Sequence, residues 1–323
     1  MRTSIKMGGY VAGLAAIFVA ALGVGGAVGS GSRPAPGGHN AGHAGDRREA
    51  DAVAGAGTTP GGLQVAQDGY RLAPVTTSLT PGGTSAFAFR LIGPDGRPVT
   101  DYTPTHDKNL HLIAVRRDLS GFQHLHPAMA DDGTWTTPLA VEAAGQYRLI
   151  ADFQPAARAE ALTLGVDVPA PGGYEPRPLP APARTAVVDG YTVTLAGDLV
   201  PGTGSTLTLT VSRDGRPVTD LQPHLAAYGH LVALRDGDLA YLHVHPEGAP
   251  GDGRTPAGPD ITFHVQVPSA GAYRLFLDFQ HAGTVRTAEF TAYAGDVATT
   301  RPPTSPRSTP SPSAGHDTGH THG

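Results

Sequence analysis

Three histidines with a fixed spacing occur twice in this chain: His111 with His124-Leu125-His126, and His230 with His243-Val244-His245. Neutral imidazole carries a free lone pair at neutral pH and suits zinc, copper or nickel. In a His-x-His pair on a strand, both rings leave from the same face. A third histidine directly opposite, on the partner strand, has its Cβ about 4.5–5.5 Å away. Rings reaching inward from such positions can meet one ion at about 2.0 Å. The six histidines therefore read as two candidate sites for a copper or zinc ion.

The elements that must position them are hairpins. Leu110–Val115 and Gly121–His126 form two arms, and Arg235-Asp236-Gly237-Asp238 marks the turn in the second copy. With Asp236-Gly237 as the central pair, His230 faces His243. A loop two residues longer sets it opposite His245, and in both registers the three rings share a face. A three-residue turn sends His230 to the other face. The His-bearing face also carries Ile113, Val115 and Phe122, and in the second copy Val232, Leu234 and Tyr241. The bland alternative is thus a set of partly buried histidines, hydrogen-bonded at a sandwich rim.

The hairpins belong to a duplication. Asp95-Gly-Arg-Pro-Val-Thr-Asp101 recurs as Asp214-Gly-Arg-Pro-Val-Thr-Asp220, and the same offset carries His111 to His230 and His124-Leu-His-Pro127 to His243-Val-His-Pro246. After an insertion in the second copy, Gly145–Leu149 matches Gly271–Leu275, and Asp152-Phe-Gln154 matches Asp278-Phe-Gln280. Most positions around the hairpin differ between the copies while the histidines do not, which favours a retained role for them. Phe87, Phe89 and Leu91 alternate with Ala88 and Arg90, and Leu207, Leu209 and Val211 alternate with polar residues. This period of two, with turn residues between runs and no amphipathic helix, predicts an all-β chain of two tandem immunoglobulin-like antiparallel sandwiches.

Further ligands are candidates by position. His106 and His224 precede the first hairpin strand, and His281 ends a strand on the parity of Phe279. Met129 follows His126 closely and could serve Cu(I). Asp152 and Asp278 could orient a ligand histidine through its outer nitrogen. His264 alternates with Phe263 and Val265 and should face solvent.

Composition excludes much else. The 323 residues include no cysteine, which removes disulfides, thiolate zinc sites, Cys-ligated haem or iron–sulfur centres and thiolate-bound copper. Net charge is −5, with Lys6 and Lys108 the only lysines and no basic block, so nucleic acid is not an expected partner. No Ser/His/Asp or paired-carboxylate arrangement stands out, and the chain is read as non-enzymatic.

Arg2 and Lys6 precede an uncharged stretch, Met7–Ser32, whose most apolar part is Tyr10–Val24. Residues 1–29 read as a signal peptide or, if uncleaved, a membrane-anchoring helix, with the remainder outside the cytoplasm. Residues 30–62 read as a disordered linker, 63–169 as the first sandwich, 170–183 as a Pro-rich linker and 184–295 as the second sandwich. Residues 296–323 read as a disordered tail ending in His316, His320 and His322.

The run His111–Leu119, then Phe122-Gln-His-Leu-His-Pro127, Asp132-Gly-Thr-Trp135 and Gly145–Phe153 resembles exported bacterial β-sandwich domains akin to the YtkA-like family. The second copy departs from it where Asp-Gly-Thr-Trp becomes Pro259-Asp-Ile-Thr-Phe263. The resemblance covers about two thirds of the chain. It implies a heavy-metal-associated, copper-linked envelope protein, whose partners would be the metal ion and an envelope metal-handling protein. His243-Val-His245 is also similar to the His-Val-His of copper–zinc superoxide dismutases, but that family's disulfide cannot form here. The expected function is non-catalytic copper or zinc binding for buffering, delivery or resistance. The alternatives are a structural or protein-interaction sandwich with packing histidines, or a copper redox enzyme.

Overall fold

The computed structural model describes residues 59–242 and 244–295, residue 245 through its backbone alone. The expected N-terminal helix, most of the linker before the first sandwich, the C-terminal tail and His243 lie outside the described residues. No helix long and apolar enough to cross a membrane occurs among the described residues.

The described chain is all-β. The first repeat comprises β1 (Ala66–Gln67), β2 (Tyr70–Pro74), β3 (Gly83–Ile92), β4 (Leu110–Arg116), β5 (Gln123–Leu125), β6 (Ala128–Met129), β7 (Thr134–Val141), β8 (Gly145–Phe153) and β9 (Leu162–Ala170). The second comprises β10 (Thr185–Val188), β11 (Tyr191–Ala196), β12 (Gly204–Arg213), β13 (Arg216–Pro217), β14 (Gly229–Arg235), β15 (Tyr241–Leu242), β16 (Val244–Pro246), β17 (Asp260–Gln266), β18 (Gly271–His281) and β19 (Thr284–Ala294). Each repeat is two antiparallel sheets. In the first, β1-β2-β3-β7-β6 faces β5-β4-β8-β9; in the second, β10-β11-β12-β17-β16, with β13 on β12, faces β15-β14-β18-β19.

Strands two, three and seven against four, eight and nine give the division of an immunoglobulin-like sandwich. A tyrosine near the start of the strand after the corner reinforces it. Tyr147 Oη donates to the Ala143 carbonyl at 2.9 Å, and Tyr273 Oη to that of Ser269 at 2.9 Å. This is the tyrosine corner of that fold, present once per repeat.

Burial separates the two kinds of sheet. On β12 and β17, buried and more exposed residues alternate, as expected for one face on a core and one on water. On β4 every residue is buried, and on β14 all but Arg235. Strands buried on both faces need a second partner, which the other repeat supplies. Ile113, Val115, Leu119 and Ile150 form one apolar cluster with Val232, Leu234, Leu239 and Phe276, and the rings of Phe122 and Phe276 stack at 3.9 Å. The apolar face that carries the histidines is therefore the face by which the two sandwiches dock, and both lie in one compact unit.

Two backbone segments tie this joint. Gly62 N–H donates to Thr163 and Tyr241 N–H to Gly61, so residues 61–62 bridge the rims of both repeats. The approach is so close that a Cβ at Gly165 would lie 1.9 Å from the Gly62 carbonyl oxygen. The linker between repeats is pinned by Asp118, which accepts from Arg116 Nε at 2.9 Å and from Arg177 N–H at 2.7 Å. Burial alone would raise that carboxyl; these bonds outweigh it and hold the pKa at about 2.

The hairpin turn differs from the two-residue expectation. Arg235 N–H donates to Ala240, so the loop comprises residues 236–239. Asp238 explains the extra length: its carboxylate takes Arg235 Nε at 3.0 Å and Ala240 N–H at 3.1 Å, closing the loop from inside. The register is then Ala233↔Leu242, and Ile113↔His124 with Leu112↔Leu125 in the first repeat. One further step sets His111 across from His126.

Candidate metal centre

The first-repeat histidines converge because three local features agree. β4 and β5 share a register that puts all three on one face. The edge strand then leaves this sheet: β5 pairs with β4, but β6 pairs with β7 of the opposite sheet. His126-Pro127 occupies that crossing, where Pro127, lacking an N–H, removes no bond from either ladder. Finally, the docked second repeat closes the face, leaving His111 6% exposed and the His124 side chain 7% exposed.

His111 Nδ1 lies 3.1 Å from His124 Nε2 and 3.2 Å from His126 Nε2. Nitrogens bound at 2.0–2.1 Å to one tetrahedral ion stand about 3.3 Å apart. The candidate ligand atoms of the three residues all lie within 4.8 Å of one another. The outward nitrogens fix the tautomers. His111 Nε2 is 3.0 Å from the Thr105 carbonyl, and His124 Nδ1 is 2.9 Å from Asp278 Oδ2. Carbonyl and carboxylate oxygens only accept, so both outer nitrogens carry hydrogen. In the neutral rings the inner nitrogens are then lone pairs, and two lone pairs face each other at 3.1 Å. A cation between them relieves that repulsion.

Electrostatics favours the neutral rings. Burial pushes the His111 pKa down to about 4, and burial with its histidine neighbours pushes His126 down to about 2. His230 is lowered to about 4, again chiefly by burial, and His224 is lowered for the same reason.

The second repeat reproduces the frame. His230 pairs with Asp278 across β14–β18 as His111 pairs with Asp152 across β4–β8. His230 Nε2 lies 2.9 Å from the His224 carbonyl, the counterpart of the Thr105 contact. His243 and the side chain of His245 lie outside the described residues. The sheets dock face to face, so the histidines of both repeats meet. The His106 ring is 5.3 Å from that of His230 and 6.2 Å from that of His111, and His224 is 6.1 Å from His230 and 6.3 Å from His126. A cavity of about 180 Å³ between the repeats is lined by His106, His111, His124, Asp152, His230 and Tyr241. It has room for an ion and a few waters, and is smaller than the roughly 300–1,000 Å³ typical of organic-ligand pockets.

Other candidates fall elsewhere. His281 is held by Tyr191 Oη at 2.7 Å and Asp220 Oδ1 at 3.0 Å, apart from this cluster. Met129 packs on the first repeat's core, and the His264 side chain is exposed. The expected orienting role of the aspartates takes an unexpected form, because Asp278 serves a histidine of the other repeat. A carboxylate toward the end of a largely buried strand, at matching places in both copies, was the available signal.

A family model described as "Domain of unknown function (DUF8832)" matches residues 64–170 and again 186–296. The chain belongs to this family. The two DUF8832 copies thus account for both sandwiches and all six histidines of the paired trios. No curated protein matches the sequence. Similar solved structures include the Escherichia coli adhesin FdeC, at 15% identity over 72% of this chain and 65% of that one, TM-score 0.23. They also include InvD of Yersinia pseudotuberculosis, at 14% identity over 71% and 58%, TM-score 0.23, and domains 4 and 5 of the S-layer protein SbsC, at 12% over 72% and 98%, TM-score 0.19. The chain spans less than two thirds of the first two. Likenesses this distant carry no functional inference; the immunoglobulin-like assignment rests on strand order and the tyrosine corners.

Proposed function

We propose that this chain is a non-catalytic transition-metal-binding protein of the cell envelope, holding a copper or zinc ion through His111 Nδ1, His124 Nε2 and His126 Nε2. The observation that carries the reading is the convergence of inner nitrogens at 3.1–3.2 Å while the outer nitrogens of His111 and His124 are committed as donors. That is the arrangement by which proteins present imidazole to a metal. The resemblance of the same motifs to YtkA-like, heavy-metal-associated domains agrees with it. The basic, then uncharged N-terminal sequence supports a site outside the cytoplasm. Buffering, delivery or resistance would all use such a site, with an envelope metal-handling protein as the exchange partner.

One observation favours a second reading. The His124 Nδ1–Asp278 Oδ2 contact joins the two repeats at 2.9 Å, and on this reading the cluster only fastens two interaction sandwiches together. Titration with Cu(I), Cu(II) and Zn(II), against a variant with His111, His124 and His126 all changed to Ala, separates the two. The metal reading expects the variant to lose one tight equivalent, and equal stoichiometry in both proteins would leave the packing reading standing.

A further inference from the structure

Resting on that reading, we infer that Asp278, contributed by the second repeat, is a positioning residue of the first-repeat metal site, so that the ion is held by the docked pair of sandwiches rather than by either alone. Asp278 lies on β18 in register with His230, and its Oδ2 reaches across the interface to His124 Nδ1 at 2.9 Å. Both side chains are 7% exposed, so little water competes for the contact. Thr287 Oγ1 donates to the other carboxylate oxygen at 2.6 Å and fixes its orientation. His111 and His126 both belong to the first repeat, and the outer bond of His111 goes to Thr105 within that repeat. Among the described residues, the outer bond of His124 comes from the other sandwich. It sets both the ring's tautomer and its aim.

The arrangement is built twice. Asp152, at the matching place on β8, accepts from Thr163 Oγ1 at 3.1 Å as Asp278 does from Thr287. From across the interface it accepts from Tyr241 Oη at 3.3 Å. Each repeat therefore presents one oriented carboxylate to the other, and the cavity at the histidines is lined from both sides. If undocking removes the partner of His124 it lowers metal affinity, and by linkage the bound ion must favour docking by the same factor.

The test uses the full chain carrying His243→Gln and His245→Gln, so that the first trio is the site read. Zn(II) affinity is measured by competition with a chromophoric chelator strong enough to mask weak binding by the tails. Asp278→Asn should weaken binding about 10–100-fold, the usual cost of losing a ligand's outer partner. Zinc should also slow hydrogen exchange along β18, which holds no ligand of the trio, and should not do so in Asp278→Asn. Should that variant fail to fold, Thr287→Val keeps the carboxylate but frees it, and a smaller, several-fold loss is expected. Wild-type affinity in the folded aspartate or threonine variant, or zinc protection confined to the first repeat, overturns the inference and leaves the metal reading intact. Failure of the parent chain to bind zinc or copper would remove both.

Discussion

His111 directs its two ring nitrogens to different surroundings, and the difference determines what it can do. Nε2 donates to a backbone carbonyl, so Nδ1 of the neutral ring is left to accept, and it meets Nε2 of His126 and Nε2 of His124, whose outer nitrogen is held by Asp278. His281 is the informative contrast. It sat on an acceptable parity in the sequence, yet Tyr191 and Asp220 occupy both of its nitrogens. A His126→Ala variant should lose metal affinity at least as severely as the roughly tenfold or more expected on removing an outer partner. A His281→Ala variant should bind with the parent affinity and stoichiometry. Isothermal titration of the two variants side by side decides this, and a matching loss in His281→Ala would mean the trio had been misassigned.

At the scale of elements, the sandwich faces were legible and the docking was not. Alternation along β3 and β12 follows from a side-chain period of two, and the shared face of each trio follows from the same rule whatever the even loop length. Loop length itself was not legible. Asp-Gly reads as a two-residue turn, but Asp238 bonds back to Arg235 and Ala240 and stabilises a four-residue loop, which depends on side-chain geometry rather than composition. The inter-repeat joint left a trace in the sequence, because Leu110–Val115 and Leu231–Leu234 carry apolar residues on both faces and a single sandwich covers one of them. What no periodicity states is which partner covers the second face. Phe276 shows the energetic consequence. It is 1% exposed and stacked on Phe122. Changing Phe276 to Ala should cost about 3–5 kcal/mol. Calorimetry should then resolve separate unfolding of the repeats, whereas the parent chain should unfold in one transition. An unshifted single transition in the variant would argue that the stack contributes little to docking.

For the whole molecule, the histidine cluster makes stability depend on pH with a definite sign. His111 and His230 are 6% and 8% exposed and have their pKa values lowered to about 4, against an ordinary 6.5 in the unfolded chain. Between those values the unfolded state binds more protons than the folded one, so stability is full above pH 6.5 and falls as pH drops toward 4. At about 1.4 kcal/mol per pH unit for each group, the loss is on the order of 3 kcal/mol for either histidine. His126, lowered to about 2, extends the fall to lower pH. Acid thus acts on the same joint that the apolar cluster holds closed, and the two sandwiches should separate before either core melts. A bound ion steepens the profile, because it adds stability at neutral pH by mass action and is displaced as the imidazoles protonate. Urea midpoints of chelator-treated protein at pH 7.5, 5.5 and 4.5 should therefore decline, and more steeply with zinc present. A variant with His111→Gln and His230→Gln should show a shallower decline in both conditions. If its profile ran parallel to that of the parent chain, the buried neutral histidines would not be the source of the acid sensitivity.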